Sequence, residues 1–385
     1  MRNEDIHQSI MPAVYVVADN IYSPLGATTA QNFEQVKQGI SGIKKHHNLA
    51  LADEPVYVSL FNSNEISNHN SFKYSFFERL LIVSVEDVLS ESGISATDTK
   101  TLLIVSSTKG NISMLETNAD DPDLKDRIAL HTSARMVAGY FGFVNKPLVV
   151  SNACISGIMA ILTGARLIQS GQYENVVVVG ADVISKFVLS GFQSFQAISA
   201  EPCKPFDENR TGITLGEAAA TIILSSNPKY ADRIKVLGGA VSNDANHISA
   251  PSRTGAELAH AIERTLSIAG LLPDDIDLIS AHGTATSYND EMEAKAIALA
   301  GLDKVPTNSL KGYYGHTLGA AGLIETIISM QSLKQNLILP TLGFETMGVS
   351  NPINVCTTLT SKRLKTCLKT ASGFGGCNAA IVFSK

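Results

Sequence analysis

Short β-branched runs alternate with longer helix-compatible stretches along the whole chain, and this alternation constrains the fold more than any other feature. The runs are Leu102–Val105, Val176–Gly180, Thr221–Leu224, Leu278–Ala281 and Ile381–Phe383. Between them lie Phe76–Ser90, Ile155–Gln169, Gly255–Gly270, Asp290–Ala300 and Leu318–Leu333, each with helical periodicity and a Gly or polar boundary. Strands alternating with helices predict βαβ units and a largely parallel sheet covered on both faces, that is, an α/β protein.

With 385 residues the chain exceeds one ordinary hydrophobic core, so two domains or one large pseudo-symmetric body are expected. The segment Ser226–Arg233, with Asn227-Pro228, breaks the pattern just after a strand. The remainder of the chain reads as a second pass through similar architecture, which divides the protein into residues 1–228 and 229–385. A net charge of −6 with scattered Lys and Arg offers no footprint for nucleic acid or an anionic membrane. The acidic start, Met-Arg-Asn-Glu-Asp, lacks the order of a secretory signal, and no apolar run approaches the roughly 20 residues that span a bilayer. A cytoplasmic location is expected.

The five cysteines, Cys154, Cys203, Cys356, Cys367 and Cys377, form no Cys-x-x-Cys pair, and no His stands at metal-ligand spacing. Neither a disulfide framework nor a metal site is expected. The stretch Leu148-Val-Val-Ser-Asn-Ala-Cys154-Ile-Ser-Gly reads as a strand end, a tight turn and the start of a helix apolar on nearly every face. A thiol at a helix N-terminus has its pKa lowered by the helix dipole, and the thiolate is what attacks a thioester. A buried structural cysteine would occupy the same place.

His282 ends the run Asp277-Leu-Ile-Ser-Ala-His and is followed by Gly283, Thr284 and Thr286, at the carboxyl end of a strand where α/β proteins bind ligands. His316, in Lys311-Gly-Tyr-Tyr-Gly-His-Thr-Leu-Gly-Ala-Ala-Gly322, precedes a helix rich in small residues. A helix cap with close packing accounts for the glycines but not for Lys and His together. A positive Lys311 nearby would bias a neighbouring imidazole to its neutral form. The Gly-rich turn Ser372-Gly-Phe374-Gly-Gly-Cys-Asn378 joins two strands and offers the Phe374 N–H as half of an oxyanion hole. His7, His46, His47, His69, His131, His247 and His260 form no defensible constellation, although Asp244 and His247 are placed near the pocket rim.

In this order the motifs resemble the elongating, Cys-His-His type of β-ketoacyl-acyl-carrier-protein synthase, in the thiolase superfamily. Asn152-Ala-Cys154-Ile-Ser-Gly is similar to the family's nucleophile motif, and the two histidine segments to its histidine motifs. Pro205-Phe206-Asp207 with Arg210, Gly212, Gly216, Glu217 and Ala218 matches a further block. The resemblance implies a five-layer αβαβα sandwich of two pseudo-symmetric halves, the first carrying the cysteine and a small cap region, the second both histidines. It implies that Cys154 accepts the acyl group, that His282 and His316 bind a malonyl thioester carbonyl, and that Lys311 orients His316. Glu293 falls where the family keeps a carboxylate near that lysine. Thr284 and Thr286 match the hydroxyls that hold the phosphopantetheine arm, Phe374 the gate, and Phe192 a wall of the acyl pocket.

The same resemblance implies acyl and malonyl thioesters as substrates, an acyl carrier protein as partner, a homodimer or a heterodimer with a related subunit, and no bound cofactor or metal. Lys204 stands where the family commonly has Arg, Thr211 where an Asp is usual, and the region Ser107–Asn145 is short. These departures favour a specialised polyketide or aryl polyene pathway over primary fatty-acid synthesis. A non-catalytic partner subunit of the chain-length-factor kind would lack the cysteine. A thiolase would place a second active cysteine before the terminal Gly-rich turn, and an initiating synthase would have Asn in place of His316.

Overall fold

The structure, a computed structural model, describes residues 12–48, 50–62, 73–245 and 250–385. Its principal strands are β1 (Val14–Tyr22), β2 (Thr101–Ser106), β3 (Leu148–Val150), β4 (Asn175–Asp182) and β5 (Ala218–Ser225), then β6 (Lys235–Asn243), β7 (Leu278–Ser280), β8 (Thr307–Asn308), β9 (Thr366–Gly373) and β10 (Cys377–Ser384). Across the sheet they run β8-β7-β9-β10-β6-β1-β5-β4-β2-β3. Each set of five therefore repeats one topology, with its third strand at the far edge and its first strand at the centre. The two sets meet where β1 pairs antiparallel with β6 over Val14↔Val236 and Tyr15↔Lys235.

The helices complete the layers. Helices α1 (Phe76–Ser92) and α2 (Leu130–Phe141) cover the outer face of the first set, α3 (Ser156–Gln169) comes between, and α4 (Lys186–Ser194) follows β4. In the second set α5 (Ala256–Ala269) and α6 (Ser287–Leu299) form the opposite outer layer, while α7 (Ala321–Gln335) packs on α3 in the middle. The result is the five-layer αβαβα arrangement. Strand alternation explains why both faces must be apolar. Leu102, Ile104, Val176 and Val178 enter the central core, while Leu103, Val105, Val177 and Val179 enter the core under α1 and α2. In β10, Ile381 and Phe383 face the centre and Ala380 and Val382 the outer core of the second set.

The expected largely parallel sheet is corrected to a mixed one. Strands β2–β3, β2–β4, β7–β8 and β7–β9 pair parallel. Strands β1–β5, β4–β5, β9–β10 and β6–β10 pair antiparallel. A strand buried on both faces carries the same apolar pattern in either direction, so the pattern does not encode its sense. Among the described residues no helix is long and apolar enough to cross a membrane.

Helices α3 and α7 approach closely because both are stripped of side chains at their crossing. A Cβ on Gly157 would lie 2.8 Å from the Leu323 N, and one on Gly322 would lie 2.9 Å from the Ile158 N. Gly157→Ala is therefore expected to lower thermal stability by about 1–3 kcal/mol through overpacking. Gly139→Ala in α2, where a Cβ meets nothing within 4 Å, should leave the melting temperature unchanged or raised. Equal effects of the two substitutions in thermal unfolding would contradict the crossing as described.

Candidate active site

The α3–α7 contact sets the first distance in the site. Cys154 lies two residues before α3, and His316 lies five residues before α7, so packing the helix starts together brings the Cys154 Sγ to 3.1 Å from His316 Nε2. Ala153, just before the cysteine, is held at φ 44, and Leu318 and Ala285 follow the two histidines at φ 51 and 63. Left-handed conformations at non-glycine residues are costly and persist where surrounding structure over-determines them. Each of the three loops that converge here contains one.

Burial corrects the expectation that Cys154 has a lowered pKa. The residue is 8% exposed, and loss of solvent, with Cys377 nearby, pushes its thiol up to about 12. The cost of desolvating a thiolate outweighs the opposing pull of Lys311 and Lys109. The thiol is therefore protonated at neutral pH in the unliganded site.

The tautomers of both histidines follow from their neighbours. The Leu318 N–H donates to His316 Nδ1 at 3.2 Å, so the neutral ring carries its proton on Nε2, which faces the sulfur. The Lys311 ammonium, which can only donate, stands 3.5 Å from His282 Nδ1, and this ring too has its proton on Nε2. Desolvation first, and Lys311 next, hold both imidazoles well below their ordinary pKa. The rings meet edge to face with centroids 5.2 Å apart. Two neutral N–H donors thus serve one cavity, the arrangement suited to a developing oxyanion.

Two expectations about the lysine are corrected. Lys311 donates to the His282 carbonyl at 3.0 Å and approaches the His282 ring, so it orients the first histidine and not His316. Its carboxylate partner is Glu325 of α7, not Glu293. Glu293 instead accepts the His282 N–H at 2.8 Å, the Gly283 N–H at 2.7 Å and the Thr370 hydroxyl at 2.6 Å, which fixes the turn carrying His282. Sequence reading missed Glu325 and also Lys369, a fully buried lysine whose ammonium lies 2.7 Å from the same carboxylate. The signal was a lone charge in an apolar segment, Leu323-Ile-Glu325-Thr-Ile-Ile and Cys367-Leu-Lys369-Thr-Ala.

A cavity of about 310 Å³ opens on these groups, and Cys154, His282, His316, Thr284, Thr286 and Phe374 all line it. Thr284 Oγ1 and Thr286 Oγ1 lie 3.0 Å apart on one wall. Phe192 and Phe195 flank Phe374 with ring centroids 5.6 and 5.3 Å away. Gly373 brings the turn against the nucleophile, since a Cβ there would lie 2.9 Å from the Cys154 N. Asp244 lines the cavity, and His247 lies outside the described residues, as do His7 and His69.

The sulfur and the ring nitrogens of Cys154, His282 and His316 lie within 4.8 Å of one another, a spacing that a metal ion would bridge. Their protonation opposes it. A metal on Nε2 requires the proton on Nδ1, and both Nδ1 atoms face N–H donors.

A thiol pKa of about 12 means that the thiolate fraction grows as pH rises, throughout the neutral and mildly alkaline range. Alkylation of Cys154 by iodoacetamide, followed by mass spectrometry, is expected to accelerate continuously from about pH 7 to about pH 10. A plateau below about pH 8 would show a thiolate already formed at neutrality.

Two family models match most of the chain: the beta-ketoacyl synthase N-terminal domain over residues 11–229 and the C-terminal domain over residues 234–345. The chain is 28% identical to 3-oxoacyl-[acyl-carrier-protein] synthase 2 of Vibrio cholerae, over 97% of this chain and 99% of that one. It is similar in structure to the ketosynthase ApeO of Xenorhabdus doucetiae, solved in complex with its chain length factor ApeC, with TM-score 0.86, 25% identity and coverage of 97% and 98%. The ishigamide ketosynthase/chain length factor shares the fold, with TM-score 0.88 at 22% identity over 97% of this chain and 99% of that one. The chain therefore belongs to the beta-ketoacyl synthase family, whose members are acyl-transferring enzymes that form carbon–carbon bonds.

Proposed function

We propose that this chain is a β-ketoacyl-acyl-carrier-protein synthase that holds an acyl group on Cys154 and extends it by decarboxylative Claisen condensation with a malonyl thioester. The observation that carries this reading is the convergence of the Cys154 sulfur, 3.1 Å from His316 Nε2, with the His282 ring in one cavity. In the first half-reaction the sulfur attacks the acyl thioester carbonyl, the thiol proton passes to the departing carrier thiolate, and the new C–S bond replaces the old one. The N–H groups of Cys154 and Phe374 hold the tetrahedral oxyanion.

In the second half-reaction the malonyl thioester carbonyl accepts hydrogen bonds from the Nε2–H groups of His282 and His316. The bond to the carboxylate breaks, CO2 leaves, and the electron pair becomes an enolate whose oxygen those two donors stabilise more than they do the ground-state carbonyl. The enolate carbon attacks the acyl-Cys154 carbonyl and expels the sulfur as a thiolate, giving the β-ketoacyl thioester, and the thiolate takes up one proton from solvent to restore the resting thiol. Lys311 keeps the His282 proton on Nε2, and Glu293 fixes the His282 turn. Thr284 and Thr286 hold the phosphopantetheine arm, Phe374 gates it, and Phe192 walls the acyl chain. No cofactor of the enzyme's own enters, because the phosphopantetheine arrives on the acyl carrier protein.

Several finer features belong to the same reading. A division at residues 228 and 229 is supported by the repeated five-strand topology on either side. Dimerisation, with an identical copy or a related subunit, is supported by β3, which is an edge strand of the sheet among the described residues, beside exposed Leu148, Val144 and Tyr140. A specialised polyketide or aryl polyene pathway is supported by Lys204, Thr211 and the short 107–145 region, and a cytoplasmic setting completes the proposal. A non-catalytic chain-length-factor role has no use for four converging catalytic groups.

Cys154→Ala is expected to abolish the covalent acyl adduct in intact-mass measurements after exposure to acyl carrier thioesters. An adduct persisting on another residue would remove the nucleophile. His316→Ala should slow malonyl decarboxylation by about 10²–10³-fold while leaving acylation of Cys154 largely intact. Decarboxylation at the unaltered rate would refute its role.

A further inference from the structure

We propose that Lys369 is a positioning residue for the condensation, an internal cation that fixes the peptide bearing His282 and holds Lys311 in place through a shared carboxylate. The inference rests on the condensing reading above and assigns a role to a buried charge that reading does not use. Lys369 lies in β9 beside Ser280 of β7 in the parallel ladder. Its ammonium donates to the carbonyls of Ser280 at 3.2 Å and Ala281 at 3.0 Å, the two residues that immediately precede His282. It also makes an ion contact of 2.7 Å with Glu325 Oε2, while Lys311 binds Oε1 of the same carboxylate.

The next residue of β9 acts from the other face of the sheet. Successive strand side chains point to opposite faces, so Lys369 reaches the central α7 while Thr370 donates to Glu293 of the outer α6. Glu293 in turn accepts the N–H groups of His282 and Gly283. The turn that carries the catalytic ring is therefore held by its carbonyls from the central layer and by its amides from the outer layer.

The cluster also sets a charge. Two ammonium groups share the one carboxylate of Glu325, so this central-layer cluster by itself carries an excess positive charge beneath the imidazoles, while the Glu293 carboxylate lies on the outer side of the His282 turn. Among the described residues the charged and titratable groups around the two rings include Lys311, Lys369, Glu325, Glu293, Cys154 and each ring's partner, with Asp182 behind the His316 loop and Asp244 on the cavity wall. A buried positive charge opposes protonation of the rings and favours the anionic enolate. Losing it lets an imidazolium form at higher pH. An imidazolium beside the malonyl carboxylate stabilises that carboxylate and opposes loss of CO2.

The test compares the full-length enzyme with Lys369→Met, which keeps the stem and removes the charge. Lys369→Gln, which keeps an N–H donor for the two carbonyls, takes its place if the Met variant does not fold. Malonyl-carrier decarboxylation and Cys154 acylation are measured across pH, with thermal unfolding to establish the folded state. The expected result is a fall in kcat for decarboxylation of roughly 10–100-fold with KM within about 3-fold, acylation largely retained, and the acid limb of the profile moved to higher pH. A folded variant with unaltered kcat and an unmoved acid limb overturns the proposal. A fall in kcat with the limb unmoved reduces Lys369 to a structural lysine and overturns it too. If the unsubstituted enzyme releases no CO2, the condensing reading fails first and the inference falls with it.

Discussion

Everything in the site depends on how closely α3 and α7 approach. Gly157 of α3 meets the backbone of Gly319, Gly322 and Leu323 with no room for a Cβ. That contact puts the start of one helix, with Cys154, against the approach to the other, with His316. The two helices come from opposite halves of a repeated fold and form its central layer. A cysteine and a histidine 162 residues apart in the chain thereby come within 3.1 Å. Small residues at the crossing are therefore as much a part of the chemistry as the groups that perform it.

Burial then decides the protonation states. In water an imidazole and a thiol would both titrate within reach of neutrality, but desolvation moves the thiol up and both imidazoles down, so all three are neutral at rest. Lys311 and the Leu318 amide fix where the imidazole protons sit. The site consequently offers hydrogen-bond donors to an oxygen that becomes negative, without holding a charge that would favour the intact carboxylate. Charge is supplied one layer below, by ammonium groups whose Glu325 counterion is itself buried. This separation of donors from charges suits a reaction that begins by expelling CO2.

The fold class, strands β2, β4, β5, β7 and β10 and helices α1, α3, α5, α6 and α7 were legible in the sequence, whereas β1, β6, β8, α2 and α4 were not; Cys154, His282, His316 and Lys311, which the sequence singles out, are brought together by the structure. Each of those residues sits at a strand end or helix start beside glycines, where local pattern carries positional meaning. Strand direction was not legible, because β5 and β10, apolar on both faces, read alike in either sense. The partner of Lys311 was not legible either. Glu325 lies 14 residues further on, inside a helix buried all round, and Lys369 lies in a different element again. Pairing across layers depends on which faces meet, and periodicity does not specify that. The thiol pKa was misread for a related reason: the helix start is local and visible, whereas the depth of burial is a property of the whole assembly.

At the centre of the proposed chemistry, one cavity couples loss of CO2 to removal of an acyl group from Cys154. The most direct measurement is a single-turnover chase, in which enzyme acylated at Cys154 is isolated and mixed with malonyl-acyl carrier protein while CO2 and the protein's intact mass are followed. The expected result is one CO2 released for each acyl group lost from Cys154, with the acyl carbon recovered in a β-ketoacyl thioester. Release of CO2 while the acyl group stays on the cysteine, or loss of the acyl group only as free acid, would contradict that coupling.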